Sequence, residues 1–345
     1  MADRTELYKQ YSILSIPIWY LQKAYGVWQG PGPQLATTAV GAAATLLIVY
    51  KLASVAWDLI RPSTLQRYCH VKTGSWALVT GATDGIGKAY ADELLNRGFN
   101  VLLHGRNPEK LERVKQELAL KYPRRSLDVV VADASRTDYP EQIVAEKVKK
   151  LPGKLVILIN NVGGVNTTPM YQTHEETTSA NIDTIFNINA RFPIHLTSAL
   201  MPILRESKPA LILNCGSGAG AFGVPYLVTY SGTKAFIEGF SRSLAAELMC
   251  EGLDKDIEVK CFTILNTRSA GNTGEMVFFT IDAIELARAS LNKVGSPHVV
   301  LFGHWRRALQ ASMMGSLPEN YLRKAMVPEM RGRKAAEEAA AAKKE

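Results

Sequence analysis

Between Trp76 and Phe302 seven short runs of branched apolar residues recur, each separated from the next by enough chain for a helix, and that alternation leaves few folds open. The runs are WALVT (76–80), NVLLH (100–104), DVVVA (128–132), LVILI (155–159), ALILN (210–214), EVKCF (258–262) and HVVLF (298–302). Continuous apolar character suits strands buried on both faces. The gaps carry helical spacing, as in Ile86, Tyr90 and Leu94, closed by Gly98. The pattern predicts an α/β chain with a doubly wound parallel sheet of about seven strands, helices on both faces and ligand at the carboxyl ends of the strands.

With 345 residues, 47% of them hydrophobic and 21% charged, there is room for one domain of about 250 residues plus appendages. The formal charge of +8 reads as dispersed, which argues against nucleic acid as a partner and fits anionic membrane or phosphorylated ligands better. Cys69, Cys215, Cys250 and Cys261 form no CxxC and no disulfide framework, and the six histidines show no metal-ligand spacing; no metal is expected.

Residues 33–50 contain no charge, and the apolar character resumes from Leu52 to Trp57, which suits a transmembrane anchor over 33–60 or a buried Ala-rich helix. Lys51, Arg61, Arg67 and Lys72 follow this stretch whereas Lys23 alone precedes it closely, so a spanning helix would leave the C-terminal part in the cytosol. The domain reading is an interfacial N-terminal segment (1–32), the anchor (33–60), a nucleotide-binding catalytic domain (70–305), and a C-terminal helical extension with a charged, frayed tail (306–345). Lys343 and Lys344 resemble a dilysine retrieval signal one position out of register.

The first run opens into TGATDGIGK, with Gly81, Gly85 and Gly87 between a strand and a helix. Glycines there let the backbone turn tightly and approach a pyrophosphate, while the helix amino end offers free N–H groups, the Rossmann arrangement for a dinucleotide. The second run ends in Gly105 and Arg106 with no carboxylate, which favours NADP(H) over NAD(H), although Arg106 also reads as an ordinary turn residue. Asp133, beyond the third run, fits either the adenine edge or a cap on the next segment. The fourth run ends in NNVG (160–163), whose paired amides suit pinning strand ends along the cofactor.

Tyr230 and Lys234 stand four apart in TYSGTK, but Tyr68 and Lys72 share that interval, so spacing alone identifies nothing. The surroundings decide: Ser217 lies among glycines at the end of the fifth run, thirteen residues before Tyr230. From Lys72 to Phe302 the chain resembles the short-chain dehydrogenase/reductase family, on TGATDGIG, NNVG, the Asn189 of FNINA, isolated Ser217 and YSGTK, all in family order. That resemblance implies hydride transfer between nicotinamide and a carbonyl or alcohol. It makes Tyr230 the general acid, Lys234 the cation that contacts the nicotinamide ribose and favours the phenolate, Ser217 the donor to the carbonyl oxygen, and Asn189 the holder of a relay water. Gly81, Thr83, Asp84, Gly85, Ile86, Gly87, Arg106, Asp133, Asn161, Tyr230, Lys234 and Thr267 then form the cofactor set.

Within that family, GATDGIGKAYADEL, the NNVG spelling and the late GHWRRALQ and LPENYL look like the endoplasmic-reticulum branch, which holds very-long-chain 3-oxoacyl-CoA reductases and nearby 17β-hydroxysteroid dehydrogenases. The resemblance implies a membrane-anchored NADPH-dependent ketoreductase acting on a lipid-like carbonyl, with its catalytic domain on the cytosolic face and a homodimer through helices around 181–205 and 230–250. A steroid, retinoid or specialised-metabolite reductase and a catalytically silent nucleotide-binding relative are the alternatives. One departure stands out: the stretch after the sixth run, FTILNTRSAGNTGEMVFF, lacks the proline that family members carry there.

Overall fold

In the computed structural model the residues described are 31–69, 74–268 and 278–343, with Lys23 and Gly26. The chain divides after Arg61 into two compact units. Of the first, the described residues include a long helix, α1 (Pro31–Ile60). Its Leu46, Leu47, Ile48, Val49, Tyr50, Trp57 and Ile60 are all exposed. Among the described residues no helix is long and apolar enough to cross a membrane. The span expected over 33–60 is therefore found as a helix only. Thr, Ala and Gly dilute its amino half, and Lys51 and Asp58 interrupt the rest. The interfacial segment expected over 1–32 lies almost wholly outside the described residues, as do Lys344 and positions 269–277 of the proline-free loop.

All seven expected strands form in the second unit: β1 (Ser75–Val79), β2 (Asn100–Gly105), β3 (Leu127–Val131), β4 (Lys154–Asn160), β5 (Ala210–Ser217), β6 (Ile257–Ile264) and a short last strand at Val300–Leu301. They make one sheet in the spatial order β3, β2, β1, β4, β5, β6, then the last strand, and every pairing is parallel. The Rossmann-like reading holds. A two-stranded ladder not foreseen in the sequence, β7 (Thr267–Arg268) with β8 (Ile281–Asp282), makes the last sheet strand β9.

The helices are α2 (Gly85–Asn96), α3 (Pro108–Lys121), α4 (Pro140–Lys149), α5 (Ser179–Phe186), α6 (Phe192–Ser207), α7 (Gly218–Phe222), α8 (Val228–Cys250), α9 (Ala283–Asn292), α10 (Trp305–Gly315) and α11 (Glu319–Ala342). Two cores result, one per face of the sheet. One packs Tyr90, Leu94, Leu111 and Leu291 against Val79, Leu103 and Phe262; the other packs Phe192, Leu196, Leu200 and Leu248 against Leu78, Leu158 and Ile212. Side chains of one strand alternate between them, as Leu78 and Val79 do. Strand order reverses between β1 and β4, and at such a switch point adjacent loops diverge and leave a crevice beyond the carboxyl strand ends.

Candidate active site

A cavity of about 850 Å³ occupies that crevice. At one end lies the turn between β1 and α2. Gly81 (φ 64°) and Gly85 (φ 53°) take left-handed conformations there, which glycine adopts without strain. A Cβ on Gly87 would lie 2.1 Å from the Gly81 carbonyl oxygen, so α2 meets the turn only because the side chain is missing. Asp84 caps α2, accepting the Gly85 N–H at 2.7 Å.

The turn is held from below. Thr80 Oγ1 accepts the N–H groups of Asn161 (2.9 Å) and Val162 (3.0 Å), and Asn161 Nδ2 donates to the Thr80 carbonyl at 2.8 Å. His104, fully buried and stacked on Phe192 with ring centroids 5.1 Å apart, accepts the Gly81 N–H on Nδ1. Burial pushes its pKa down to about 4, so it is a neutral imidazole with Nδ1 free to accept. A bare backbone cradle at a helix amino end fits the pyrophosphate of a dinucleotide.

Arg106 and Asp133 line the same end. Arg106 is exposed and makes no hydrogen bond or ion pair with the described residues. Asp133 Oδ1 accepts from Ser135 N (3.0 Å) and Oγ (2.8 Å), which closes a local turn rather than capping α4, whose N-cap is Tyr139, and the residue faces the cavity.

At the other end Ser217, Tyr230 and Lys234 come together on the cavity wall. Ser217 closes β5 and caps α7, and its Oγ accepts the Ala219 N–H at 3.2 Å. Tyr230 and Lys234 sit one turn apart on α8. Lys234 is 5% exposed, donates to the Cys215 carbonyl oxygen at 3.0 Å, and has its Nζ 5.7 Å from the Tyr230 ring centre. A buried chain fixes α8 to the sheet: Asn160 Nδ2 donates to Asn214 Oδ1 (2.8 Å), whose Nδ2 donates to Ser241 Oγ (2.9 Å) on α8. Such buried side-chain chains hold their members to one geometry.

Asn189 lies in a π-helical turn, Asn187–Arg191, between α5 and α6. Its side chain is 1% exposed and off the cavity wall; Oδ1 accepts the Gly164 N–H at 3.0 Å, and Nδ2 donates to the carbonyls of Gly164 (2.7 Å) and Ile185 (2.8 Å). The amide is thus spent on the loop after β4. It still lies near Lys234, since a Cβ on Gly163 would meet Asn189 Oδ1 at 2.7 Å and Lys234 Nζ at 3.0 Å. Gly81, Thr83, Asp84, Gly85, Ile86, Gly87, Asn161 and Thr267 all line the cavity.

The C-terminal segment is helical, and it contributes to the cavity, a role its sequence did not announce: α11 runs to Ala342 and supplies Met326, Glu329, Met330 and Arg333, while α10 adds Gln310 and Met314. Glu337 anchors it, its two oxygens accepting the N–H groups of Met170 (2.7 Å) and Tyr171 (2.9 Å). Lys334 pairs with Glu176 at 2.8 Å. A sequence signal existed: Met326, Met330, Arg333 and Glu337 follow the 4, 3, 4 spacing of one helical face, hidden in an Ala-rich context.

The family model described as short chain dehydrogenase matches residues 75–275. A very-long-chain 3-oxoacyl-CoA reductase of Neurospora crassa is 34% identical over 81% of this chain and 80% of its own. A Danio rerio very-long-chain 3-oxoacyl-CoA reductase-A is 39% identical over 53% of this chain and 56% of its own. A solved metagenomic short-chain oxidoreductase in complex with NADP superposes with a TM-score of 0.55 at 25% identity, over 67% of this chain and 96% of that one. The glycine cradle, the Ser217, Tyr230 and Lys234 cluster, and these likenesses agree: the chain belongs to the short-chain dehydrogenase family, as an oxidoreductase built for a nicotinamide cofactor.

Proposed function

We propose that this protein is an NADPH-dependent ketoreductase that converts a long-chain 3-oxoacyl-CoA to the 3-hydroxyacyl-CoA. The observation that carries the reading is that Ser217, Tyr230 and Lys234 share one cavity with the glycine turn and with Met314, Met326 and Met330. The names of the Neurospora crassa and Danio rerio relatives support the substrate class.

When bound, the nicotinamide supplies the hydride. Gly81, Gly85 and Gly87 would cradle the pyrophosphate, and Arg106, with no carboxylate beside it at the end of β2, would take the 2′-phosphate. Ser217 already accepts from Ala219, so its hydroxyl hydrogen is left to donate to the substrate carbonyl oxygen. Tyr230 gives its phenolic proton to that oxygen as negative charge develops there. Lys234 spends one of its three N–H donors on Cys215, which aims the ammonium and leaves two donors for ribose hydroxyls. Met314, Met326 and Met330 pack against an apolar chain and keep water from the reacting atoms.

The exposed apolar side chains of α1 support attachment to the endoplasmic-reticulum membrane with the catalytic unit facing the cytosol. Exposed Phe186 on α5 and Phe236 on α8 support a homodimer through those helices. The functional test follows NADPH absorbance with a long 3-oxoacyl-CoA and, in parallel, a 17-ketosteroid. Turnover of the acyl-CoA is expected; turnover of the steroid alone would move the substrate assignment, and turnover of neither would remove the proposal.

A further inference from the structure

The surface of α10 carries a pattern that the reaction does not use. Trp305, Leu309, Met313, Leu317 and Tyr321 recur at every fourth position across α10, the turn after it and the start of α11, and each is between 42% and 60% exposed. Residues four apart lie on one helical face, so Trp305, Leu309 and Met313 form a continuous apolar ridge. Phe278 extends it, 63% exposed and edge-on to Trp305 at 6.5 Å between ring centres. The neighbouring face of the same helix is committed to the protein: Arg307 and Ala311 are buried, and Gln310 and Met314 line the cavity.

The charged side chains that flank the ridge itself are Arg306, which pairs with Glu285, and Arg323 and Lys324, of which Arg323 pairs with Glu319. Arg306 stands 5.7 Å from the Phe278 ring centre and 5.8 Å from that of Trp305, a guanidinium held among the aromatic rings of the ridge and 3.8 Å from Glu285. Exposed Arg323 and Lys324 lie at its far end, beside Tyr321.

We propose that this ridge is a docking face for a bilayer surface that contains anionic lipid. An apolar stripe with Trp and Tyr at its ends and cations around it matches the layered chemistry of that interface: acyl boundary, carbonyl and glycerol region, negative headgroups. Because α10 also walls the cavity, docking places the apolar end of the site next to the bilayer. A lipid-like substrate then reaches Met314 and Met330 without crossing bulk water. The docking is independent of the identity of the carbonyl reduced and of any attachment through α1.

Hydrogen exchange on the full chain with NADPH tests it, read peptide by peptide in buffer, on phosphatidylcholine vesicles, and on vesicles that also contain phosphatidylserine. Amides of residues 305–321 are expected to exchange about tenfold more slowly on the phosphatidylserine vesicles than in buffer. Leu309→Glu with Met313→Glu should erase that slowing and leave turnover of a soluble short ketone unchanged, since neither side chain lines the cavity. Unchanged exchange at 305–321 on vesicles that protect α1 would overturn the proposal, and the wild-type comparison decides this whether or not the variant folds. Protection that instead grows with protein concentration in buffer would also overturn it, by assigning the ridge to self-association.

Discussion

Glu337 accepts the backbone N–H of Tyr171 at 2.9 Å, and with its other oxygen that of Met170, so one carboxylate near the end of the chain ties the last helix to the loop after β4. Both bonds are charge-assisted, the stronger class. Through them Met326, Met330 and Arg333 are held across the cavity. Glu337→Gln turns one acceptor into a donor that faces an N–H. The expected outcome is a severalfold rise in KM for a long acyl substrate, with kcat and NADPH affinity unchanged and faster exchange at residues 326–337. Steady-state kinetics with a long and a short substrate checks it; equal effects on both would mean that α11 does not contact the chain of the substrate.

Gly87→Ala would drive a methyl group into the Gly81 carbonyl, 2.1 Å from the Cβ position. Backbone on both sides makes relief costly. Cofactor affinity should fall about ten- to a hundredfold, measured by quenching of protein fluorescence on NADPH addition, because the turn must open to admit the side chain.

Arg106 carries the choice of nucleotide in the proposed reading. Arg106→Ala should weaken NADPH by about ten- to a hundredfold, the worth of a charge-assisted contact to phosphate, and leave NADH nearly untouched. Parallel losses for both nucleotides, measured as kcat/KM ratios, would show that the guanidinium does not meet the 2′-phosphate.

His104 links pH to the glycine turn. Its folded pKa is about 4 against 6.5 for the free side chain, because burial disfavours the imidazolium. The unfolded chain therefore binds the proton first as pH falls. Stability is unaffected above pH 6.5, is lost between 6.5 and 4, and levels off below 4, for a total of roughly 3 kcal/mol. The stability difference between the wild type and His104→Gln, measured by urea unfolding, should change by about that total across this window.

The sheet was legible in the sequence because strands buried on both faces must be apolar throughout, and all seven runs became strands within two residues of their expected starts. The glycine turn and the Ser217, Tyr230 and Lys234 cluster could be picked out because each follows an expected strand or starts an expected helix, and the structure brings them to one cavity. The wall of the site was not legible. Met326 and Met330 carry no chemical signature, and Glu337 sits in an Ala- and Glu-rich tail whose composition reads as solvated helix; only contact with residues 170 and 171, more than 160 positions away, gives it a role. Asn189 was found by motif, yet its side chain serves the Gly164 loop, a partner that spacing could not name. The 33–60 stretch shows the opposite failure: lack of charge suggested a span, and Ala, Thr and Gly left its helix short of the apolarity a crossing needs.

The central claim is that the Tyr230 hydroxyl, beside the Lys234 ammonium anchored on Cys215, delivers the proton to the carbonyl oxygen. Tyr230→Phe deletes that oxygen alone. Single-turnover reduction of a 3-oxoacyl-CoA by the NADPH-loaded enzyme should slow by about a hundred- to ten-thousandfold, with the dissociation constant of NADPH unchanged. A variant that reduces the substrate at the wild-type rate would contradict the account.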